Sequence, residues 1–163
     1  MPFYVGLDLG QAQDYTALAV VQSGVQENPE GGTEKFLHLR HLERYELGMP
    51  YPKIADKVAA LMRDERLSPN EYDPSRLRLF RREPELIVDD TGVGRAVADL
   101  LKAKGLKFRA VTITGADEVN AVGSRRYRVP KRDLVGALEV PFHTGKLTIA
   151  EGMELWPALK RSY

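Results

Sequence analysis

Residues 3–22 read FYVGLDLGQAQDYTALAVVQ and hold two apolar runs separated by a short polar turn. Residues 3–8 form a short apolar run, which predicts a buried strand. Residues 15–22 are β-branched and apolar and predict a second strand, joined to the first by the turn at residues 10–14. A turn-rich stretch with proline and two glycines follows, and residues 35–45 predict a third strand. The chain therefore opens with an antiparallel β-meander.

Beyond residue 50 the pattern changes to alternating helices and strands. Apolar residues at helical spacing predict an amphipathic helix over residues 52–65, and two prolines predict a loop over residues 68–75. The later elements are expected as a strand at 85–89, a helix at 95–104 that stops at Gly105, a strand at 107–114, a polar loop at 115–129, a helix from Pro130 to about Val140, a strand at 146–150 and an opening helix over the last dozen residues.

This order predicts an α/β fold with a central mixed sheet, in which three antiparallel strands are followed by parallel strands and the sheet is flanked by helices. The layout resembles that of RNase H-like domains. A doubly wound nucleotide-binding fold would instead alternate strand and helix from the beginning.

Composition indicates one soluble domain spanning residues 1–163. Apolar residues make up 43% and charged residues 29% of the chain, and the net charge is +1. Overall charge therefore indicates nothing about a polyanionic partner. The absence of cysteine excludes disulfides, thiolate metal sites and cysteine nucleophiles. No apolar stretch is long enough to predict a membrane span, and the first residues carry no basic region of a signal peptide, so a cytoplasmic location is expected.

Acidic residues at strand ends are the candidate site. Asp8 ends the first apolar strand, and the adjacent acids Asp89 and Asp90 follow the apolar residues of the strand at 85–89. A carboxylate in such a place is costly unless it is paired, hydrogen-bonded or bound to metal. A turn-forming role for Asp8, and a helix-capping role for one of the adjacent pair, are the alternatives. Asp14, past the first turn, is either an additional ligand or a turn residue.

If the first and fourth strands lie side by side, Asp8 and Asp89 meet near the centre of the sheet. Clustered carboxylates cannot all ionise near pH 7 without a cation between them. Hard oxygen ligands, with no cysteine and few histidines, favour Mg²⁺ or Mn²⁺ over zinc.

Positive charge is concentrated in one acid-free segment, AVGSRRYRVPKR at residues 121–132. A loop of this kind leading into a helix N-terminus is a candidate grip for the phosphate backbone of DNA, and a solvated loop is the alternative. The basic residues of the segment are Arg125, Arg126, Arg128, Lys131 and Arg132.

Several short motifs occur in a definite order along nearly the whole chain. They are Gly6-Leu7-Asp8, Asp14-Tyr15-Thr16-Ala17, Val88-Asp89-Asp90-Thr91-Gly92-Val93-Gly94, Lys131-Arg132-Asp133-Leu134 and Gly145-Lys146-Leu147. In this order and spacing the chain resembles the C-terminal nuclease domain of bacteriophage large terminase subunits.

The resemblance implies an RNase H-like endonuclease that cuts double-stranded DNA during genome packaging through a two-metal carboxylate site. Asp8 matches the first-strand metal ligand and Asp89 the second acid, with Asp90 as its fallback. Asp14 matches an acidic position that often follows the first ligand. The resemblance further implies two Mg²⁺ or Mn²⁺ ions, a terminase ATPase, small subunit and portal as partners, and a phage or prophage protein in the cytoplasm of a bacterial host, without a membrane.

Two departures from the family pattern bear on activity. The ATPase half of a terminase is missing, and no late D-D-L-type segment supplies a third acid, since Glu151 and Glu154 do not stand in such a motif. We therefore expect a fragment or a shortened relative that lacks the family's C-terminal segment, with slow, Mn²⁺-favouring cleavage or none. A catalytically incomplete DNA-binding and packaging module of the same fold, and a nuclease resembling Holliday-junction resolvases, are the alternatives.

Overall fold

The computed structural model describes residues 1–10, 13–91 and 94–150. Its strands are β1 (Phe3–Asp8), β2 (Ala17–Glu27), β3 (Thr33–Arg44), β4 (Asn70–Asp73), β5 (Arg78–Arg81), β6 (Glu85–Asp89), β7 (Phe108–Thr114), β8 (Asn120–Gly123), β9 (Arg126–Pro130) and β10 (Leu147–Ile149). Its helices are α1 (Tyr51–Met62), α2 (Gly94–Ala103) and α3 (Lys131–His143), with a short 3₁₀ helix at Glu65–Leu67. The helix expected over the last dozen residues lies outside the described residues.

A mixed sheet forms the centre of the molecule. Its strand order is β10-β3-β2-β1-β6-β7-β9-β8. Strands β1, β2 and β3 pair antiparallel, whereas β6 pairs parallel with β1, β7 with β6 and β9 with β7. The prediction of an α/β fold with a mixed central sheet is thereby confirmed. Because β1, β6, β7 and β9 run in the same direction, their C-terminal ends share one edge of the sheet.

The core lies between this sheet and helices α1 and α2. Alternate residues of the central strands point to the same face, and those of β1 and β6 on that face are buried with apolar residues of both helices. Burial of each such Val or Leu side chain stabilises the fold by about 1.5–3 kcal/mol. The central members of the cluster are Val5, Leu7, Leu86, Val88, Ile54, Val58, Val97 and Leu101.

Helix α3 is placed differently from the other two. It contacts β9 and β10, and none of its residues is buried. Pro130 stands at its N-cap, so the predicted start of this helix is confirmed. The predicted stop of α2 is confirmed as well, because Gly105 adopts a φ of 77° and the Leu106 N–H donates to the Leu101 carbonyl at 3.1 Å.

Two segments expected as loops contain strands. Residues 68–75 include β4, which pairs with β5 in a separate two-stranded hairpin. Residues 115–129 include β8 and most of β9, and β9 joins the main sheet beside β7. The alternation of arginines with Tyr127 and Val129 is a strand pattern, and the high density of charge concealed it.

Among the described residues, no helix is long and apolar enough to span a membrane.

Candidate active site

Asp8 and Asp89 lie next to each other at one edge of the sheet. They are the last residues of β1 and β6, and the parallel register pairs them directly. Adjacent strands are separated by about 4.8 Å, and paired residues point to the same face. The face they share is opposite to the one that carries Leu7 and Val88, which packs against the helices. The tertiary structure thus brings together two carboxylates that are far apart in sequence.

The electrostatics of Asp8 reflect this arrangement. Its pKa is raised above the ordinary value of 3.8 by partial burial, and then by the negative charges of Asp89 and Asp14. Each of these effects disfavours the ionised carboxylate. A cation bound next to Asp8 would offset that penalty, so the local electrostatics favour a positive ion.

The loop after β1 returns Asp14 to the neighbourhood of Asp8. The Gly10 N–H donates to Thr16 Oγ1 at 3.1 Å, and the Tyr51 hydroxyl donates to the Gly10 carbonyl at 3.0 Å. A Cβ atom at Gly10 would come within 2.2 Å of the Asp14 carbonyl oxygen. Glycine is therefore required for the close approach of the two ends of this loop.

A small cleft of about 380 Å³ lies beside this loop. Its lining includes Asp14, Thr16, Glu46 and Tyr51. The sequence analysis did not identify Glu46 and Tyr51 as candidate site residues. The position of Tyr51 between Pro50 and Pro52, which restrict the backbone at the start of α1, is the signal in the sequence that could have indicated it. Glu46 adds an exposed carboxylate near the loop that carries Asp14.

The neighbouring acids Asp89 and Asp90 have different surroundings. Asp89 Oδ1 accepts a hydrogen bond from the Thr91 N–H at 2.8 Å. Asp90 Oδ1 accepts from the Thr112 hydroxyl at 2.7 Å, and Asp90 Oδ2 lies 3.6 Å from Arg126 Nη2. Asp89 pairs with Val111, so Thr112 and Arg126 lie on the opposite face of the sheet, and Asp90 points to that face. The fallback residue Asp90 therefore ties β6 to β7 and β9 and is not brought together with Asp8.

The basic segment is divided between two ends of the sheet. Lys131 and Arg132 begin α3, directly after the C-terminal end of β9, at the edge that also carries Asp8 and Asp89. Arg125 precedes β9 and lies at the opposite edge. The expectation of one continuous basic loop is wrong, because the parallel strand β9 separates its members.

Within the segment the cations also differ in their partners. Arg126 faces Asp90, and Arg132 Nη1 lies 2.9 Å from Asp117 Oδ1. Arg128 and Lys131 are exposed and form no ion pair with the described residues. These two residues are the free cations that β9 and the start of α3 present to a ligand.

The donor set fits a hard cation only in part. Carboxylate oxygens suit Mg²⁺ and Mn²⁺. Within residues 1–10, 13–91 and 94–150, however, no group of three or more His, Cys, Asp or Glu side chains is arranged to hold a metal ion. Asp8 and Asp89 would hold an ion together with water, with Asp14 as the nearest further carboxylate.

No protein-family model, no curated protein and no solved structure matches the chain.

Proposed function

We propose that this chain is a metal-dependent nuclease domain that cleaves phosphodiesters in double-stranded DNA, related to the nuclease domain of phage large terminase subunits. The observation that carries the proposal is the direct register of Asp8 and Asp89 at the C-terminal edge of two parallel strands. In open α/β sheets, ligands bind outside the carboxyl ends of the strands.

The arrangement of strands supports the finer assignment to an RNase H-like fold. Strands β2 and β3 of the antiparallel meander lie on one side of β1, and the parallel strands β6 and β7 lie on the other. This is the layout expected from the order of elements in the sequence, with Asp8 on the central strand. The hairpin of β4 and β5 is an addition to that layout.

Mg²⁺ or Mn²⁺ would be held by Asp8 and Asp89, with Asp14 close by. When bound, such ions activate a water molecule and stabilise the leaving oxygen of a phosphodiester. The residues of the chain supply the rest of the site. Asp8 lies close enough to Asp89 and Asp14 for their negative charges to raise its pKa, and Lys131 at the same edge offers an unpaired ammonium group to a DNA phosphate.

Cleavage of supercoiled plasmid tests the proposal. Nicking is expected with Mn²⁺, more slowly with Mg²⁺, and not with chelator. Asp8→Asn and Asp89→Asn should each reduce the rate at least 100-fold. Asp99→Asn is the matched control, because Asp99 is an exposed carboxylate on α2 whose Oδ1 lies 3.6 Å from Lys102. Undiminished cleavage by Asp8→Asn, or cleavage in chelator, would contradict the proposal.

A DNA-binding module that does not cut is the second candidate. It is favoured by the lack of a three-carboxylate group among the described residues. Binding of duplex DNA without nicking at any Mn²⁺ concentration would support it over the nuclease. A four-way junction assayed beside linear duplex would reveal a preference for branched DNA.

A further inference from the structure

Two adjoining clefts open at the edge of the sheet opposite to Asp8 and Asp89. The larger, of about 680 Å³, lies between the end of α1, the start of β6 and the turn from α2 to β7. The smaller, of about 560 Å³, lies between α2, β7 and the turn from β8 to β9. Both are lined by Leu106, Lys107 and Arg125, so they meet at these residues. We call the combined feature the basal cleft.

The basal cleft carries a high local positive charge. Its lining contains seven basic residues and two acidic ones, Glu83 and Glu85. The chain as a whole has a net charge of only +1. Positive charge is therefore concentrated here, and a concave surface with walls of low dielectric focuses its field on a bound anion. The basic residues are Arg63, Arg81, Lys102, Lys104, Lys107, Arg125 and Arg126.

Most of these cations have partners within the protein. Arg63 donates to the Lys104 carbonyl at 3.1 Å, and Lys104 pairs with Asp56. Lys102 lies 3.6 Å from Asp99. Three of them, at the ends of α1 and α2, also offset the negative ends of the helix dipoles. Arg63, Lys102 and Lys104 therefore have a structural role within the fold.

Lys107 and Arg125 are not explained in this way. Lys107 precedes β7 and Arg125 precedes β9, so neither belongs to the last turn of a helix. Both are exposed, and neither forms an ion pair with any residue that the structure describes. Glu85, the nearest acid of the lining by sequence, pairs with Arg109. Both cations are therefore available to an anion bound where the two clefts meet.

We propose that the basal cleft is a second contact for the phosphate backbone of DNA, centred on Lys107 and Arg125 and separate from the carboxylate edge. The choice of DNA as the bound partner rests on the proposed function. Strand β6 separates the two places by about 13 Å, at 3.3 Å per residue. Lys107 and Arg125 are therefore distinct from the carboxylates Asp8 and Asp89, so DNA binding at the basal cleft can be altered without changing the candidate metal ligands.

The salt dependence of DNA binding tests this inference. A fluorescently labelled duplex is titrated with the full chain in the presence of chelator, at several NaCl concentrations. The slope of log K against log[NaCl] is negative, and each lost phosphate contact reduces its magnitude by about 0.9. We expect Lys107→Ala/Arg125→Ala to reduce the magnitude of the slope by about 1.8. Lys35→Ala/Arg78→Ala is the control, because it removes the same charge from exposed positions outside the basal cleft.

The outcomes separate this inference from the nuclease proposal. A reduced slope in the cleft variant alone supports the second contact, even if the chain does not cleave plasmid. An unchanged slope, an equal reduction in the control, or no binding of duplex overturns it, even if Asp8-dependent cleavage is found. Binding of polyglutamate that is lost in the cleft variant, with DNA binding unaltered, overturns it in favour of an acidic protein partner. Circular dichroism of both variants establishes that they are folded.

Discussion

Asp8 and Asp89 are the final residues of two adjacent parallel strands and stand in direct register. Partial burial raises the pKa of Asp8, and the negative charges of Asp89 and Asp14 raise it further. Ionised Asp8 therefore lowers the free energy of unfolding at neutral pH.

Replacing Asp8 by Asn should stabilise the protein at neutral pH. The pKa of Asp8 in the folded state lies above its ordinary value of 3.8, so the contribution of this one group to stability is fully present below pH 3.8 and is lost as the pH rises through the folded-state pKa. Asn cannot ionise and avoids that loss, with a gain of up to about 0.5 kcal/mol, as for other surface changes. Urea unfolding of Asp8→Asn and the unmodified chain, at pH 7 and near pH 3.5, measures the difference in their free energies of unfolding. An equal gain at both pH values would contradict this origin.

Divalent ions should stabilise the unmodified chain through the same carboxylates. At a Mn²⁺ concentration ten times its Kd, the free energy of unfolding should rise by about 1.4 kcal/mol. Asp8→Asn and Asp89→Asn should lose this response, and Asp99→Asn should keep it. Thermal unfolding with and without Mn²⁺ provides the measurement. A response of equal size in all four proteins would show that the ions bind elsewhere.

Gly10→Ala should destabilise the fold and displace Asp14. The added Cβ would lie 2.2 Å from the Asp14 carbonyl oxygen and 2.5 Å from the Tyr15 carbonyl carbon, so the backbone must shift. A loss of about 1–3 kcal/mol is expected, with a weaker response to Mn²⁺. Gly6→Ala serves as the comparison, because nothing lies within 4 Å of its added Cβ. Equal stability of the two variants in urea would refute the requirement for glycine.

Leu77→Gly should stabilise the hairpin formed by β4 and β5. Leu77 adopts a φ of 51° in the turn, a left-handed conformation that is strained for leucine. Its side chain is 79% exposed, so little apolar burial offsets the strain. Relief of that strain is worth about 1 kcal/mol. Leu79→Gly, in strand β5, should instead cost about 0.5–1 kcal/mol. Urea unfolding of both variants checks the opposite signs.

Thr112→Val should destabilise the protein without removing a catalytic group. The Thr112 hydroxyl donates to Asp90 at 2.7 Å, and the Asp90 carboxylate is largely shielded from solvent. Loss of a hydrogen bond to a charged group costs about 1.5–3 kcal/mol. Cleavage per folded molecule should be unchanged, because Asp90 lies on the face opposite Asp89. A folded variant that no longer cleaves DNA would place Asp90 in the site.

Much of the local structure could be predicted from patterns of neighbouring residues. The apolar run before Asp8, the run before Asp89 and the proline before α3 each identify their elements, because strand alternation and helix initiation depend on short stretches of chain. The strands within residues 115–129 could not be predicted in this way. Their arginines are stabilised in β9 by pairing with β7 and by the contact between Arg126 and Asp90.

The amino-acid sequence alone identified the candidate residues: carboxylates at strand ends and a cluster of cations without acids. Only the tertiary structure decided which of them meet. It paired Asp8 with Asp89, turned Asp90 to the other face and separated Arg125 from Lys131. The physical reason is that strand order and register arise from the burial of apolar faces between distant segments, and a shift of one residue in register would send every side chain to the opposite face.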